Sequence, residues 1–312
     1  FKQKTAYEIR LSLVGSEMCI RDRFWTAFES AVKYGALCFP AGGLSTSARL
    51  RFMLDNGITV VCCTPTYALR MAEVAAEEKV NIALSPVRLM LVAGEPGGSV
   101  PQTRARIEEA WGAACVDHYG MTEVGPACFE CEKVRGRLHV IESEYIAECV
   151  DPETGKARAE GDVGELVLTN LGREGSPLLR YRTGDIVRLR RHAPCACGRS
   201  FAALEGGILG RVDDMLVVRG VNIYPSAVEE AVRRFGEIAE FRVEIQQWRA
   251  MTELKVIVEV TADTEPNAVA KRVATELRRV FSLRIPVEVA APGTLPRFEM
   301  KAKRWVRVKE EE

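Results

Sequence analysis

Three short apolar runs, separated by helical patterns, constrain the fold more than any other feature of the chain. Ile58–Cys63 lies between Gly57 and Pro65, Arg88–Ala93 ends at Gly94, and Ala114–Tyr119 runs into Gly120. The first two have continuously apolar cores and the third opens on Ala114-Cys115-Val116, so each reads as a buried strand. Between them, Tyr67–Glu78 and Pro101–Trp111 repeat apolar residues at helical spacing. The second opens on a proline, whose missing N–H suits a first helical turn. This strand–helix–strand alternation predicts a parallel sheet flanked by helices.

From Leu138 to Leu189 the pattern changes. Candidate strands Tyr145–Val150, Gly164–Thr169 and Asp185–Leu189 are parted by turn signals such as Asp151-Pro152-Glu153-Thr154-Gly155. A small antiparallel barrel or sheet over about residues 130–200 is expected. After Asp213 a compact α+β module follows. Pro225 opens a helix with Val228, Ala231, Val232 and Phe235 on one face, and Val269, Val273, Leu277 and Val280 mark a second helix. Strands are expected at Val243–Ile245, Leu254–Val260 and Val287–Ala290, with the domain boundary in the Gly210–Asp214 turn. The fold class is therefore α/β: a large parallel-sheet domain with a small antiparallel barrel (24–212), then a small α+β C-terminal domain (213–312).

Composition excludes more than it identifies. The chain has 312 residues, 47% of them hydrophobic, which suits one large or two ordinary soluble domains. Lys plus Arg and Asp plus Glu both number 43, so no global field points to nucleic acid or a membrane surface. Arg188-Leu189-Arg190-Arg191 reads as a solvated face, and no apolar run approaches the roughly 18 residues of a membrane helix. Ten cysteines without a secretory signal suggest a reducing, cytoplasmic setting. Residues 1–23, which include Ser12-Leu13-Val14-Gly15-Ser16-Glu17-Met18, look like a translated sequencing adapter and are set aside as non-native. Genuine sequence would then begin in mid-domain.

Four motifs carry the chemistry: Tyr119-Gly120-Met121-Thr122-Glu123, Tyr181-Arg182-Thr183-Gly184-Asp185, the stretch from Gly210-Arg211-Val212-Asp213-Asp214 to Arg219-Gly220-Val221-Asn222, and Leu295-Pro296-Arg297-Phe298-Glu299-Met300-Lys301. Each alone is weak. In this order they resemble the adenylate-forming superfamily of acyl-CoA synthetases, and within it the phenylacetate–CoA ligase family, from about Phe24 to the end. The resemblance implies ATP, Mg2+ and coenzyme A as cofactors and cosubstrates. It places Gly94-Glu95-Pro96 at the adenine pocket, Tyr119 on the adenine ring, and Gly120 where the backbone approaches the nucleotide. By the same resemblance Thr122 contacts the α-phosphate, Glu123 holds magnesium, and Asp185 accepts hydrogen bonds from the ribose diol. Arg211 joins the ribose or phosphates, Asp213 is a hinge that makes the C-terminal domain mobile, and the backbone at Gly220 meets the coenzyme A arm. Lys301 matches the lysine that bridges carboxylate and α-phosphate, although Met300 stands where the family usually has glycine.

The family's phosphate-binding loop has no counterpart here. Gly42-Gly43-Leu44-Ser45-Thr46-Ser47 has its composition but not its pattern, and reads as a sheet-edge loop. The expectation is a ligase for aryl or arylacetic acids acting through an acyl-adenylate, with the activity of this chain by itself left open. Two alternatives stand beside it: an adenylation domain that loads a carrier-protein thiol, and a non-catalytic, zinc-stabilised remnant that binds nucleotide. Expected partners are the acid and coenzyme A. Analogy alone leaves a homodimer open.

The cysteines give a separate expectation. Cys195-Ala196-Cys197-Gly198 pairs two thiols in a turn, with Cys131 and His139 upstream. Three thiolates and an imidazole make a closed tetrahedral zinc site of structural type. Cys128 is an alternative to Cys131, and the bland reading is free thiols in a reducing compartment. Cys62 and Cys63 read as core.

Overall fold

The computed structural model describes residues 25–41, 43–191, 194–248, 251–261, 264–298 and 302–308. The adapter-like segment, Met300 and Lys301 lie outside the described residues. Two compact units divide at Leu209.

The first unit begins with α1 (Trp25–Lys33) and α2 (Thr46–Asp55). There follow β1 (Val60–Cys63), α3 (Pro65–Glu77), β2 (Leu89–Val92), α4 (Pro101–Trp111) and β3 (Ala114–Met121). β1, β2 and β3 are parallel, with Val60 opposite Leu89 and Leu89 opposite Ala114. All four residues of β1 are buried, as its unbroken apolar run predicts. Val61 and Cys63 pack into a core shared with α2, α3 and α4, whereas Cys62 joins Ala93 beneath Ala27 and Ala31 of α1. Helices thus cover both faces. Thr64 caps α3 by accepting from the Tyr67 amide, and Pro65 takes its first turn. Gly112 ends α4 at φ 58°, where a Cβ would lie 2.8 Å from the Ala83 carbonyl oxygen. Trp111 is fully buried and its indole N–H reaches the Ala68 carbonyl at 3.0 Å, locking α4 to α3.

β3 changes partner half-way. Ala114–Asp117 pair with β2, while His118–Met121 turn back on β4 (Gly125–Glu130) as an antiparallel hairpin. The β-rich part therefore starts earlier than expected. It continues through β5 (Arg137–Val140), β6 (Tyr145–Val150), β7 (Val163–Asn170), β8 (Tyr181–Arg190) and β9 (Ala203–Glu205). Their order from β3 is β4-β5-β9-β8-β7-β6. Tyr119, Leu138, Tyr145, Leu168, Val187 and Leu204 share one core, so strands from both ends of the run enclose the same interior. The opening between β6 and the β3–β4 turn is bridged by side chains: the Tyr145 hydroxyl and Asn170 amide both donate to the Val124 carbonyl, at 3.0 and 3.1 Å. This is an open barrel.

The second unit holds a short hairpin, Leu216–Val218 with Val221–Ile223, and α5 (Pro225–Arg233). Its four-stranded sheet runs Val287–Val289, Met251–Val260, Ile238–Trp248, Trp305–Arg307, and α6 (Pro266–Phe281) packs on it. Val228, Ala231 and Val232 of α5 are buried as predicted. On α6 the stripe ends one residue later than expected: Val280 is exposed and Phe281 takes the core position, because the face advances 100° per residue. Two buried carboxylates hold the C-terminal stretch. Glu259 receives Arg297 at 2.5 and 3.2 Å as well as the Gly293 and Leu295 amides. Glu240 receives Arg304 at 2.7 and 3.1 Å.

Candidate functional site

Several residues singled out from the motifs sit at the far end of the parallel strands, the edge where open α/β sheets bind ligands. Gly94 leaves β2 at φ 96°, a left-handed backbone that glycine adopts without cost. The next side chain, Glu95, accepts the Thr66 amide at 2.7 Å, which places its carboxylate against the N-terminus of α3. Pro96 is exposed.

Tyr119 and Asp185 meet directly. The tyrosine hydroxyl donates to Asp185 Oδ2 at 2.7 Å, and both residues are buried, at 8% and 6% exposure. Burial first, and the Asp185 charge second, hold the phenol well above its ordinary pKa, so it remains a donor. The Asp185 backbone is set by Thr183, whose hydroxyl accepts the Asp185 amide at 3.1 Å and donates to the Leu166 carbonyl at 2.8 Å. Gly184 bends β8 at φ 73°. Gly120 is required on steric grounds: a Cβ there would lie 2.7 Å from the Gly125 carbonyl oxygen and 2.9 Å from Pro126 Cα. Thr122 and Glu123 are exposed in the β3–β4 turn, and Arg173 donates to the Glu123 carbonyl. An exposed carboxylate next to a hydroxyl suits a hard cation and a phosphate.

The remaining candidates belong to the second unit. Arg211 forks onto Asp213 at 3.0 and 3.2 Å, and this pairing, opposed in part by burial, holds the Asp213 carboxyl below its usual range. Gly220 (φ 82°) follows Arg219 (φ 48°) in the two-residue turn between Val218 and Val221. Two positive φ values are what a tight hairpin turn of this hand demands.

Cys131, His139, Cys195 and Cys197 converge at one end of the barrel. Their ligand atoms all lie within 4.8 Å of one another, with Cys131 Sγ 3.4 Å from Cys195 Sγ and Cys197 Sγ 3.4 Å from His139 Nε2. Tetrahedral zinc, with bonds of about 2.3 Å to sulfur and about 2.0 Å to nitrogen, separates its ligand atoms by about 3.5–3.8 Å. Backbone amides favour the thiolates, although burial outweighs them at Cys131 and raises its thiol, while Cys195 and Cys197 are lowered. The Lys133 and Val134 amides point at Cys131 Sγ, at 3.4 and 3.3 Å. The Cys197 amide leads the contacts that bring the Cys195 thiol down to about 7. Gly198, at φ 81°, closes that turn by donating to the Cys195 carbonyl at 2.8 Å. Cys128 is fully buried in the barrel core, where burial pushes its thiol up, and it takes no part in the cluster. Cys62 and Cys63 are core as read.

Comparison with known families identifies the domains that carry these residues. Residues 24–172 fit the model described as AMP-binding enzyme, and residues 220–308 the AMP-binding enzyme C-terminal domain. A phenylacetate-coenzyme A ligase of Thermus thermophilus is 34% identical over 286 residues, covering 85% of this chain and 63% of that protein. The chain belongs to the adenylate-forming enzymes, in the phenylacetate–CoA ligase family. Among solved structures, a 2-hydroxyisobutyryl-CoA ligase in its postadenylation state with an acyl-AMP superposes with a TM-score of 0.90 at 29% identity. That match covers 97% of this chain and 67% of the other. The same ligase with acyl-AMP and CoA in the thioesterification state gives a TM-score of 0.61 at 30% identity, covering 97% and 66%. The chain spans 63% of the length of the phenylacetate–CoA ligase it matches. Within the family frame, Thr183 and Thr66 were missed as supporting residues. Thr183 lies inside a quoted motif, but nothing in the spacing marks its hydroxyl as the support of Asp185.

Proposed function

We propose that the protein to which these residues belong activates a carboxylic acid with ATP and transfers it to coenzyme A. In the first step a carboxylate oxygen attacks the α-phosphorus and pyrophosphate leaves, giving an acyl-adenylate. In the second the thiol of coenzyme A attacks the acyl carbon, AMP leaves and the thiol proton is released. The single observation that carries this reading is the buried Tyr119–Asp185 hydrogen bond, which joins two nucleotide motifs 66 residues apart in the chain.

Asp185 Oδ2 is held by Tyr119, and a carboxylate has further lone pairs for a vicinal diol. Thr122 and Glu123, exposed on the neighbouring turn, would meet the phosphates and their Mg2+. Magnesium would neutralise charge on the phosphate oxygens. Gly94, Glu95 and Pro96 would border the base. Arg211 would contact ribose or phosphate, with Asp213 as hinge and the Gly220 turn facing the coenzyme A arm. Lys301 would bridge the carboxylate and the α-phosphate, a charged transition-state contact worth on the order of 3 kcal/mol. The substrate class we favour is an aryl or arylacetic acid. Zinc at Cys131, His139, Cys195 and Cys197 would pin β4, β5 and the loop before β9 together. The reaction is assigned to the cytoplasm, with no membrane or nucleic-acid partner.

The test is acid-dependent release of pyrophosphate from ATP by the chain extended to the length of its relatives, with aryl and aliphatic acids, with and without coenzyme A. Release that depends on the acid and disappears in Lys301→Ala supports the reading. A folded protein that releases none with any acid sinks it.

A further inference from the structure

One buried carboxylate beside the nucleotide motifs has no place in that scheme. Asp117 lies on β3, two residues before Tyr119, and is 9% exposed. It accepts the Ser99 hydroxyl on Oδ2 and the His118 amide on Oδ1 at 2.9 Å. Ser99 ends the loop that starts at Gly94, so this hydrogen bond ties the far end of the loop to the strand carrying Tyr119. The near end is tied by Glu95 to the Thr66 amide at 2.7 Å.

Steric evidence agrees that the loop is drawn down onto its supports. A Cβ at Gly98 would stand 2.6 Å from Asp117 Cγ and 2.6 Å from Val92 Cγ2. At Gly97 it would stand 2.6 Å from Pro65 Cβ, and at Gly207 it would strike the Ser99 hydroxyl. The strand under Asp117 is itself braced. Glu130 accepts the Asp117 and Gly136 amides, both at 2.7 Å, and pairs with Arg104 at 2.6 Å. A backbone segment with two glycines is held by one side-chain anchor at each end, and the glycines permit the close approach that the anchors require.

We infer that Asp117, acting through the Ser99 hydroxyl, is a positioning residue that fixes the Gly94–Gly98 loop for nucleotide binding. The inference rests on the proposed nucleotide site at that loop. A hydroxyl bonded to a buried carboxylate, with the hydroxyl itself half-buried, is among the stronger side-chain hydrogen bonds. With it broken, the far end of the loop loses its side-chain anchor, and ordering that end again is a cost charged to nucleotide binding.

The experiment measures AMP affinity by calorimetry for the wild-type chain extended to the length of its relatives, and for its Ser99→Ala, Asp117→Asn and double variants, each well below its own melting temperature. Asparagine keeps the shape and can donate its amide to the Ser99 hydroxyl, so Asp117→Asn is the conservative control. The expected result is about tenfold weaker binding for Ser99→Ala and less than threefold for Asp117→Asn. The double variant should match Ser99→Ala, since no partner is left to keep. A role confined to folding would lower the melting temperature and leave the affinity of the folded protein unchanged. Wild-type binding with unchanged affinity in Ser99→Ala overturns the inference and spares the nucleotide site. Failure of the wild-type chain to bind AMP overturns both.

Discussion

Tyr119 and Asp185 form a buried donor–acceptor pair, 2.7 Å between hydroxyl and carboxylate, on strands β3 and β8 that are not neighbours in the sheet. The barrel interior brings them together, since Tyr119 belongs to its core and Asp185 is buried beside it. If Asp185 takes the ribose diol as proposed, it has to be held in one orientation before the ligand arrives, and the phenol supplies that restraint. Tyr119→Phe should therefore weaken AMP binding by about tenfold, the loss of one charged hydrogen bond of roughly 1.5 kcal/mol. Asp185→Ala should weaken it further. Titration calorimetry with AMP decides this, and equal affinity in wild type and Tyr119→Phe would remove the phenol from the site.

The thiolate cluster predicts a metal-dependent melting temperature. Four ligand atoms within 4.8 Å suit one zinc per chain, which should be found by elemental analysis of protein purified without chelator. Stripping the metal should lower the melting temperature by several degrees, because a site that exists only in the folded state adds its binding energy to stability. Cobalt substitution should give the visible bands of a tetrahedral thiolate site, and Cys195→Ser should lose them. A chain free of metal, with a melting temperature indifferent to chelator and to added zinc, would leave the cysteines as ordinary thiols.

Legibility in the sequence varied with the range of the interaction. β1, β2, β3 and α4 could be read locally, because apolar runs, unbroken in β1 and β2 and shorter in β3, and a proline start are signals within ten residues. The convergence of Cys131, His139, Cys195 and Cys197 was legible as well, since the chain has three histidines and the Cys195–Cys197 pair marks one turn among its ten cysteines. β4 was not: Gly125, Pro126 and Glu130 are poor strand residues. Pro126 is accommodated opposite Gly120, next to the irregularity in register after Tyr119. Glu130 is buried because it serves the Asp117 and Gly136 amides. The Tyr119–Asp185 and Ser99–Asp117 contacts were likewise hidden, because the first depends on which strands the barrel places face to face and the second on where the loop after β2 comes down on β3. Val280 and Phe281 show the limit within a helix, where one residue of phase moves a side chain from solvent to core.

Asp117 makes stability fall as pH rises. Burial first, with Glu130 adding to it and Ser99, Arg104 and the His118 amide opposing, raises its carboxyl from 3.8 to about 6. The folded state then holds a proton that the unfolded chain has lost, so this group's contribution is full below about pH 4 and disappears through about pH 6. A shift of about two units corresponds to about 3 kcal/mol. Urea unfolding of wild type and Asp117→Asn at about pH 4 and about pH 7 isolates the effect. The stability difference, wild type minus variant, should fall by about 3 kcal/mol across that range. A difference that stays constant would show that the carboxyl titrates alike folded and unfolded.

Glu240 gives the opposite sign. Burial would raise its carboxyl, but the Arg304 hydrogen bonds and charge, joined by Arg233 at 3.3 Å, hold it below the usual range. Its contribution is present at neutral pH and is lost as pH falls through the depressed folded value. Arg304 and Arg233 are both nearly inaccessible and both stack on Phe241, with guanidinium carbons 5.2 Å from the ring centre. Glu240→Ala would take from these interior cations a carboxylate that both of them contact, while Glu229 stays 3.1 Å from Arg304 and 3.9 Å from Arg233. Breaking a buried pair from one side typically costs about 3–5 kcal/mol, far more than an exposed pair. Exposed Glu230, which pairs with Arg234 on the surface of the same helix, is the natural control. Glu240→Ala should lower the urea midpoint of the second unit's unfolding sharply, and Glu230→Ala should move it little. Equal effects of the two would mean that solvent reaches the Glu240 cluster and that the pair contributes no more than a surface contact.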